Sequence, residues 1–159
     1  MISPEDQLSA ALGRIPSGLF IVTIRTEEWE TGMLASWIQQ CSFQPPLVSI
    51  AIARSRWTLE SLHERAAIAI NVLAEGEKAM LAHFGKGFDR QSPAFEGLEI
   101  ERFPESAPCL LAAHAYLDGR FVKRVETGDH ILVISEIVGG RVLHEARPAT
   151  HVRRRGTHY

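Results

Sequence analysis

Hydrophobic residues in the first part of the chain follow a helical pattern and then a strand pattern. Ser3 and Pro4 stand near the start of the sequence, and apolar residues then recur at helical spacing as far as Ile15. Serine just before the first helical turn and proline within it are typical of a helix start. Proline and glycine end this segment, and residues 19–24 are rich in β-branched and aromatic side chains. We therefore predict a helix followed by a strand.

The central part of the chain alternates between strand-like and helical patterns. Residues 47–53 form an apolar run of a length suited to a strand buried on both faces, and residues 67–73 form another strand. Residues 58–65 and 75–84 have helical patterns. Residues 85–97 contain three glycines and a proline, which predicts a loop. A loop of this length in a compact domain tends to have a functional role.

The last third of the chain is dominated by strand-like runs. Four strands are predicted there, at residues 98–103, 111–125, 130–138 and 141–144, with breaks at Gly128-Asp129 and Gly139-Gly140. Many strands with a few short helices predict a mainly β fold, and a closed or nearly closed antiparallel barrel is favoured because closure removes exposed strand edges. Neither a repeat nor a linker interrupts the chain, so residues 1–159 are predicted to form a single domain.

Composition and charge argue against several classes of protein. The chain has 159 residues, of which 45% are hydrophobic and 23% are charged, as is typical of globular domains. Its formal net charge is −2, so there is no overall positive charge to hold a polyanion, and nucleic acid is not an expected partner. The arginine run 153–155 is interpreted as a solvated chain end rather than a binding patch.

Cysteine and histidine spacing gives no indication of a metal site. Cys41 and Cys109 form no CxxC pair, which argues against zinc and favours a reducing cytoplasm. His144, His151 and His158 are seven residues apart and match no usual metal-ligand spacing. The N-terminal segment is acidic and amphipathic, unlike a signal peptide, and no apolar run reaches the roughly 18 residues of a membrane span. We expect a cytoplasmic protein without a membrane partner.

A polar segment interrupts the apolar pattern between Gly32 and Ser49. It contains serine, tryptophan and glutamine but no lysine or glutamate, which a solvent-facing strand would normally have. Glutamine side chains and backbone N–H groups can match the polar rim of a planar heterocycle, and Trp37 can stack against it. The segment therefore favours a ligand pocket, and the alternative is a strand with one polar face in solvent.

A second candidate site is the predicted strand-to-helix corner at residues 53–58. Guanidinium groups, hydroxyls and free N–H groups at a helix start would together form a phosphate cradle. The residues concerned are Arg54, Ser55, Arg56 and Thr58. The alternative is that Ser55 or Thr58 only caps the helix.

His130 follows the Gly128-Asp129 turn and opens a predicted strand. A single histidine in such a position is either structural or placed to meet a proton or a polar ligand. The sequence has no GxGxxG, P-loop, GxSxG or HExxH motif, so any nucleotide must be bound by a scaffold other than a Rossmann fold.

Several segments together resemble the flavin reductase-like family, the FMN-binding split β-barrel. They are "GLFIVTIR", "TGMLASWIQQCSFQPPLVSIAI", "ARSRWT", "NVL" and "GDHILVISEI". The resemblance implies an antiparallel Greek-key split barrel with a few short peripheral helices. The version "SWIQQCSFQPPL" is most similar to the branch of flavoredoxins and diflavin-protein reductase modules, which hold FMN permanently.

The resemblance also implies a set of flavin-binding residues. It places Ala35, Ser36 and Trp37 along the flavin and its ribityl chain, Gln40, Cys41 and Ser42 near the polar edge of the ring, and Arg54, Ser55 and Thr58 at the phosphate. Many relatives have serine in place of Trp37 and threonine in place of Leu34, so the hydrogen bonds of those hydroxyls are lost here.

Two histidines are candidates for the reaction itself. The resemblance places His130 beside the flavin, where a nicotinamide would stack, as the catalytic residue. His83, on the helix before the glycine-rich loop, is a further cofactor-binding candidate and competes for the same role.

The resemblance implies a homodimeric FMN protein that accepts a hydride from NADH or NADPH. The electrons would pass to free flavin, a partner protein or another acceptor, and FAD is less expected than FMN. Two alternatives remain open, an FMN electron carrier that is reduced by a protein partner and a flavin-binding module without turnover.

Overall fold

The computed structural model of the protein describes residues 3–157. Its helices are α1 (Pro4–Leu12), α2 (Lys78–Gly85) and a short 3₁₀ helix (Trp57–Ser61). Its strands are β1 (Ser17–Gly18), β2 (Phe20–Arg25), β3 (Glu30–Ala35), β4 (Ile38–Ser42), β5 (Leu47–Ala53), β6 (Ala67–Val72), β7 (Ile100–Glu101), β8 (Cys109–Leu110), β9 (Ala115–Glu126), β10 (His130–Val142) and β11 (Thr150–His151). The mainly β prediction is confirmed.

The N-terminal helix α1 forms as predicted but ends early. Ser3 Oγ accepts a hydrogen bond from the backbone N–H of Asp6 at 3.1 Å, which is the capping contact expected at a helix start. The helix ends at Leu12, and Gly13 follows it. A Cβ on Gly13 would lie 2.8 Å from the backbone oxygen of Arg153, so the C-terminal segment lies directly against the end of this helix.

Seven strands form one antiparallel sheet in the spatial order β3-β2-β6-β9-β10-β5-β4. The edge strands β3 and β4 follow each other in the sequence and are separated only by Ser36 and Trp37. No pairing between these two edges is found within residues 3–157, so hydrogen bonds do not close the sheet into a ring. Of the closed and nearly closed barrels predicted from the sequence, the closed one is therefore wrong.

The hydrophobic core has two parts. The larger part is built mainly by β2, β5, β6 and β10, and the smaller part lies against α2, where Phe84 belongs to the same cluster as Ile21 and Leu73. In β5, buried residues alternate with half-buried ones. The prediction that residues 47–53 are buried on both faces is therefore wrong, because only one face of β5 packs into the core.

Gly139 and Gly140 do not end a strand, contrary to the prediction. Gly139 and Gly140 lie inside β10, where a shift in register with β9 occurs between Ile137 and Gly139. A Cβ on Gly140 would lie 2.7 Å from the backbone oxygen of Tyr116. The predicted break and the separate strand at 141–144 are wrong, since these glycines permit close approach within an irregular strand instead of ending it.

Three other predicted elements are shorter than expected. The predicted helix 58–65 is reduced to the 3₁₀ helix, the predicted strand 98–103 is reduced to β7, and the predicted strand beginning at residue 111 starts at Ala115. The loss of this helix affects the predicted phosphate site, because that prediction relied on the free N–H groups of a full helix start at this corner.

Candidate functional site

A cleft of about 440 Å³ opens between the end of β3 and the end of β5. Its volume lies within the range of roughly 300–1,000 Å³ that is usual for small-molecule sites. It is lined by Met33, Leu34, Ala35, Ser36, Ala51, Ile52, Ala53, Ser55, Arg56 and His130. We refer to this cavity as the cleft and to these residues as its lining.

Strand pairing brings these distant residues together. His130, the first residue of β10, is paired with Ala53, the last residue of β5. On the other side of β5, the backbone N–H of Ala51 donates a hydrogen bond to the Trp37 carbonyl at 2.9 Å. The segment after β3 is thus held against the end of β5, which places Ser36 on the same cleft as His130.

His130 is held in place by its neighbour Asp129. Nδ1 of His130 lies 2.7 Å from Oδ1 of Asp129, and this hydrogen bond is the main reason why the pKa of the Asp129 carboxyl is lowered. An ionised carboxylate can only accept, so Nδ1 carries the proton and donates. The other ring nitrogen, Nε2, is therefore the one available to a ligand.

Trp37 lies beside His130 at the cleft. The centroids of the two rings are 4.9 Å apart, with an angle of 45° between the ring planes. The side chain of His130 is only 15% exposed, whereas that of Asp129 is 96% exposed. The imidazole is thus partly enclosed by a large aromatic side chain, while the carboxylate that orients it stays in solvent.

The two arginines of the predicted phosphate corner have different surroundings. Arg54 donates from Nε to the Gly128 carbonyl at 2.8 Å and forms an ion pair with Glu126. Arg56 lines the cleft, and within the described part of the chain it forms no ion pair. The structure thus brings Ser55 and Arg56 to the cleft and directs the guanidinium of Arg54 to the β9–β10 turn.

Thr58 is not part of the cleft lining. It is 4% exposed, and its hydroxyl donates to the sulfur of Met33 at 3.4 Å. The 3₁₀ helix begins after Arg56 without a side-chain cap, so the alternative prediction of a Ser55 or Thr58 cap is wrong. The corner is held instead by the indole N–H of Trp57, which donates to the Phe88 carbonyl at 2.9 Å.

The polar residues of β4 lie away from the cleft. Gln40 and Cys41 are exposed and Ser42 is half-buried, and the Gln40 amide donates to the Ser42 carbonyl at 3.2 Å. A second cavity, also about 440 Å³, is lined by Gly18, Phe20, Ile38, Gln39, Gln40, Pro46, Leu47, Val48, Ile70, Leu117 and Ile137. The structure therefore divides the predicted flavin-facing segment between two cavities.

His83 has a local partner away from the cleft. Its Nε2 lies 2.8 Å from the Ala94 carbonyl, and its ring contacts Phe84 and Phe88. These contacts connect α2 to the glycine-rich loop 85–97. His83 therefore holds the loop and is not brought together with His130.

The C-terminal segment contacts the rest of the protein through two of its arginines. The Arg153 guanidinium lies 4.7 Å from the centre of the Trp37 ring, and Arg155 lies 3.7 Å from Asp6. The interpretation of residues 153–155 as a solvated end is wrong for Arg153. Glycines at 13 and 156 were the available indication, since a Cβ on Gly156 would lie 2.1 Å from Cβ of Leu12.

Residues 3–157 lack a metal-binding cluster and a membrane-spanning helix. This part of the chain has no group of three or more His, Cys, Asp or Glu side chains arranged to hold a metal ion, and His158 lies outside it. None of its helices combines the length and apolar character needed to cross a membrane.

Comparison with known proteins gives consistent matches along the whole chain. The chain is 36% identical to diflavin flavoprotein A 1 of Synechocystis sp. strain PCC 6803, over 99% of this chain and 28% of that protein. The chain thus spans about 28% of the length of this relative.

Solved structures share the fold. The NADH:FAD oxidoreductase SgcE6 of Streptomyces globisporus C-1027 superimposes with a TM-score of 0.84 at 24% identity, covering 96% of this chain and 92% of that one. The same oxidoreductase in complex with NAD and FAD fragments gives a TM-score of 0.80 at 25% identity, with the same coverage. The fold is therefore the split β-barrel of flavin reductases. A family model described as the flavin reductase like domain matches residues 12–158, and the chain belongs to this family.

Proposed function

We propose that the protein is a flavin-dependent oxidoreductase module that binds FMN in the cleft and takes a hydride from NADH or NADPH. Support comes from the family and from a structural neighbour named as an NADH:FAD oxidoreductase. The observation that carries the proposal is the cleft itself, because it combines hydroxyl groups, a guanidinium and an oriented imidazole.

The residues of the cleft fit a flavin mononucleotide. Small side chains at Ala51 and Ala53 leave room for a planar ring, and Ser36 and Ser55 offer hydroxyls. Arg56 is the one arginine or lysine among the cleft residues and would hold the phosphate by charge-assisted hydrogen bonds. A single cationic group of this kind favours FMN over FAD, which carries a second phosphate.

When bound, the flavin would supply the two-electron redox chemistry. NAD(P)H becomes NAD(P)⁺ when it loses a hydride, and the two electrons of that hydride would later pass to an acceptor. His130 would position the nicotinamide, and in its doubly protonated form its Nε2–H would donate to groups on which negative charge develops, as preorganised donors do. The hydrogen bond from Nδ1 to Asp129 fixes the ring for this role. The two cysteines are free, which supports a reducing compartment such as the cytoplasm.

Two arginine variants provide the test. Wild-type protein should purify yellow or become yellow with added FMN, and chromatography of the released chromophore should identify FMN. Arg56→Glu should lose the flavin because it places a carboxylate against the phosphate. Arg54→Glu should keep most of it, since the Arg54 guanidinium binds Glu126 and Gly128 instead. Loss of flavin in Arg54→Glu alone would move the phosphate site back to the position predicted from the sequence.

An electron carrier reduced by a protein partner is the second candidate. The observation that favours it is that the chain matches only 28% of a diflavin flavoprotein, in which other domains could supply electrons. Reduction by a ferredoxin-type donor, without reduction by NADH or NADPH, would select this candidate. Flavin binding without reduction by either kind of donor would instead indicate a storage module.

We also propose that two copies of the chain pair through the second cavity. Its lining is mostly apolar, the edge strand β4 beside it has one free edge in the described sheet, and Phe43, next to β4, is 88% exposed. Apolar surface of this kind is typical of protein contact sites. Light scattering should give the mass of a dimer at micromolar concentration, and the mass of a monomer would remove the dimer from the account.

A further inference from the structure

Arg153 lies on the side chain that encloses the catalytic candidate. Its guanidinium is 4.7 Å from the centre of the Trp37 ring, and the same ring is 4.9 Å from that of His130. Arg153 does not line the cleft. It therefore lies outside the cleft lining but next to the indole that packs beside His130, and we call this position the rim.

The fold holds the segment that carries Arg153 in place. Just before it, β11 pairs with β1. Just after it, the backbone N–H of Gly156 donates to the Ser9 carbonyl at 2.7 Å, and the Ser9 and Thr157 hydroxyls are 2.9 Å apart. Glycine at 13 and 156 permits the close approach to α1 described above. The position of Arg153 is thus set on both sides by backbone contacts.

Arg153 keeps most of its hydrogen-bonding capacity. Among residues 3–157 it forms no ion pair with a carboxylate, and its one described hydrogen bond, to the Gly156 carbonyl, is long at 3.5 Å. A guanidinium has five N–H donors in a fixed plane. By contrast, Arg102 at the surface donates from Nε and Nη2 to the Glu30 carboxylate. A half-buried guanidinium without a carboxylate partner is suited to an anionic ligand.

We propose that Arg153 binds a phosphate group of the nicotinamide dinucleotide, as a specificity-determining residue at the rim of the cleft. This inference rests on the proposed function. The flavin phosphate is assigned to Arg56, inside the cleft. A dinucleotide whose nicotinamide reaches His130 must extend its phosphates out past the rim, and Trp37 with Arg153 forms part of that rim. The alternative source of phosphate is the flavin itself, and the experiment separates the two.

The test compares Arg153→Met, which keeps the packing on Trp37 but removes the charge, with Arg153→Lys and with Arg154→Met. Arg154 is exposed and is the matched control. In FMN-loaded protein, Arg153→Met should raise KM for the reductant about tenfold or more, the loss expected for a charge-assisted hydrogen bond. Both kcat and FMN content should stay unchanged, Arg153→Lys should recover part of the loss, and Arg154→Met should match wild type.

The possible outcomes distinguish the phosphates of the dinucleotide from the phosphate of the flavin. An effect on NADH and NADPH alike assigns the pyrophosphate, an effect on NADPH alone assigns the 2′-phosphate, and both support the proposal. An unchanged KM in Arg153→Met overturns it, because a merely structural contact would leave KM unmoved. Loss of FMN affinity with unchanged KM also overturns it and assigns Arg153 to the flavin.

A binding measurement keeps the test independent of turnover. If wild-type protein holds FMN but neither NADH nor NADPH reduces it, the proposed function fails, and calorimetric titration of the FMN-loaded protein with ADP then tests the subsite alone. Weaker ADP binding in Arg153→Met than in wild type and Arg154→Met supports the subsite. Absence of ADP binding to wild type, or equal binding to all three proteins, overturns it.

Discussion

The cleft and the second cavity have the same volume, about 440 Å³ each, but different chemistry. Strand β5 contributes to both. Ala51, Ile52 and Ala53 at its end line the cleft, and Leu47 and Val48 at its start line the second cavity. One strand thus supplies mostly small side chains to one cavity and larger ones to the other. The two cavities therefore differ in their polar groups and not in their volume.

The polar groups of these two cavities differ in kind. It has two serine hydroxyls, an arginine and an oriented histidine, whereas the second cavity has two glutamine amides in an apolar lining. A site for a phosphate-bearing planar ligand needs a few placed polar groups on an apolar wall. A surface for another copy of the chain needs mainly apolar area. The comparison therefore supports the proposals that the cofactor binds in the cleft and that the second cavity is a protein contact.

His130→Ala should produce the largest effect. Loss of one preorganised donor lowers rates by about 10²–10³ when it acts in the transition state, so reduction of bound FMN by NAD(P)H should slow by about that factor. Reduction by dithionite should not change. His83→Ala is the control, because His83 bonds to Ala94 away from the cleft. A large loss in His83→Ala with none in His130→Ala would transfer the role to His83.

Ile137→Glu tests the second cavity. The residue is half-buried there, and a charge buried without a partner in an interface costs about 2–5 kcal/mol, so the proposed dimer should weaken by about thirtyfold or more. Val138→Glu is the matched control, since Val138 is exposed and does not line the cavity. Sedimentation over a concentration series measures the change. Equal dimer affinity in both variants would exclude the second cavity as the interface.

Ala51→Leu tests whether FMN binding needs the space left by the small side chain of Ala51. Overpacking of a closely fitted site costs about 1–3 kcal/mol, so FMN affinity should fall roughly tenfold, as measured by fluorescence titration. Val48→Leu adds a methylene at the other end of β5, in the second cavity, and should leave FMN affinity as in wild type. Similar losses in both variants would mean that the two cavities are not independent.

Thr58→Val should have the smallest effect. The hydroxyl contacts Met33 inside the core, so its loss should lower the free energy of unfolding by about 1 kcal/mol without changing FMN affinity. Thermal unfolding and flavin titration on the same sample measure both quantities. A clear loss of FMN affinity at unchanged stability would restore Thr58 to the phosphate site.

Local patterns in the sequence predicted the strands at residues 19–24, 47–53 and 67–73 well, whereas strand pairing determined which side chains share a site. Ser36, Ser55 and His130 were named from the sequence and do meet at the cleft. Arg54 was also named, but its guanidinium reaches Glu126, which is 72 residues away and is brought close by the β9–β10 hairpin. No local pattern carries that information, because it depends on the register of two other strands.

The remaining differences have the same origin. Gln40 lines the second cavity at the point where β4 pairs with Val48 of β5, and a register different by one residue would reverse which face it occupies. Arg153 reaches Trp37 because the C-terminal segment packs on α1, a contact between the two ends of the sequence. Tertiary pairing therefore determined which of the predicted polar residues share a site.

Anaerobic stopped-flow mixing of FMN-loaded protein with NADH or NADPH tests the central claim most directly. The account predicts that the flavin absorbance band bleaches in a phase whose rate saturates with reductant concentration, and that this phase slows by about 10²–10³ in His130→Ala. Full bleaching by dithionite, with no bleaching by either nicotinamide in wild-type protein, would contradict the claim that the cleft brings NAD(P)H to the flavin.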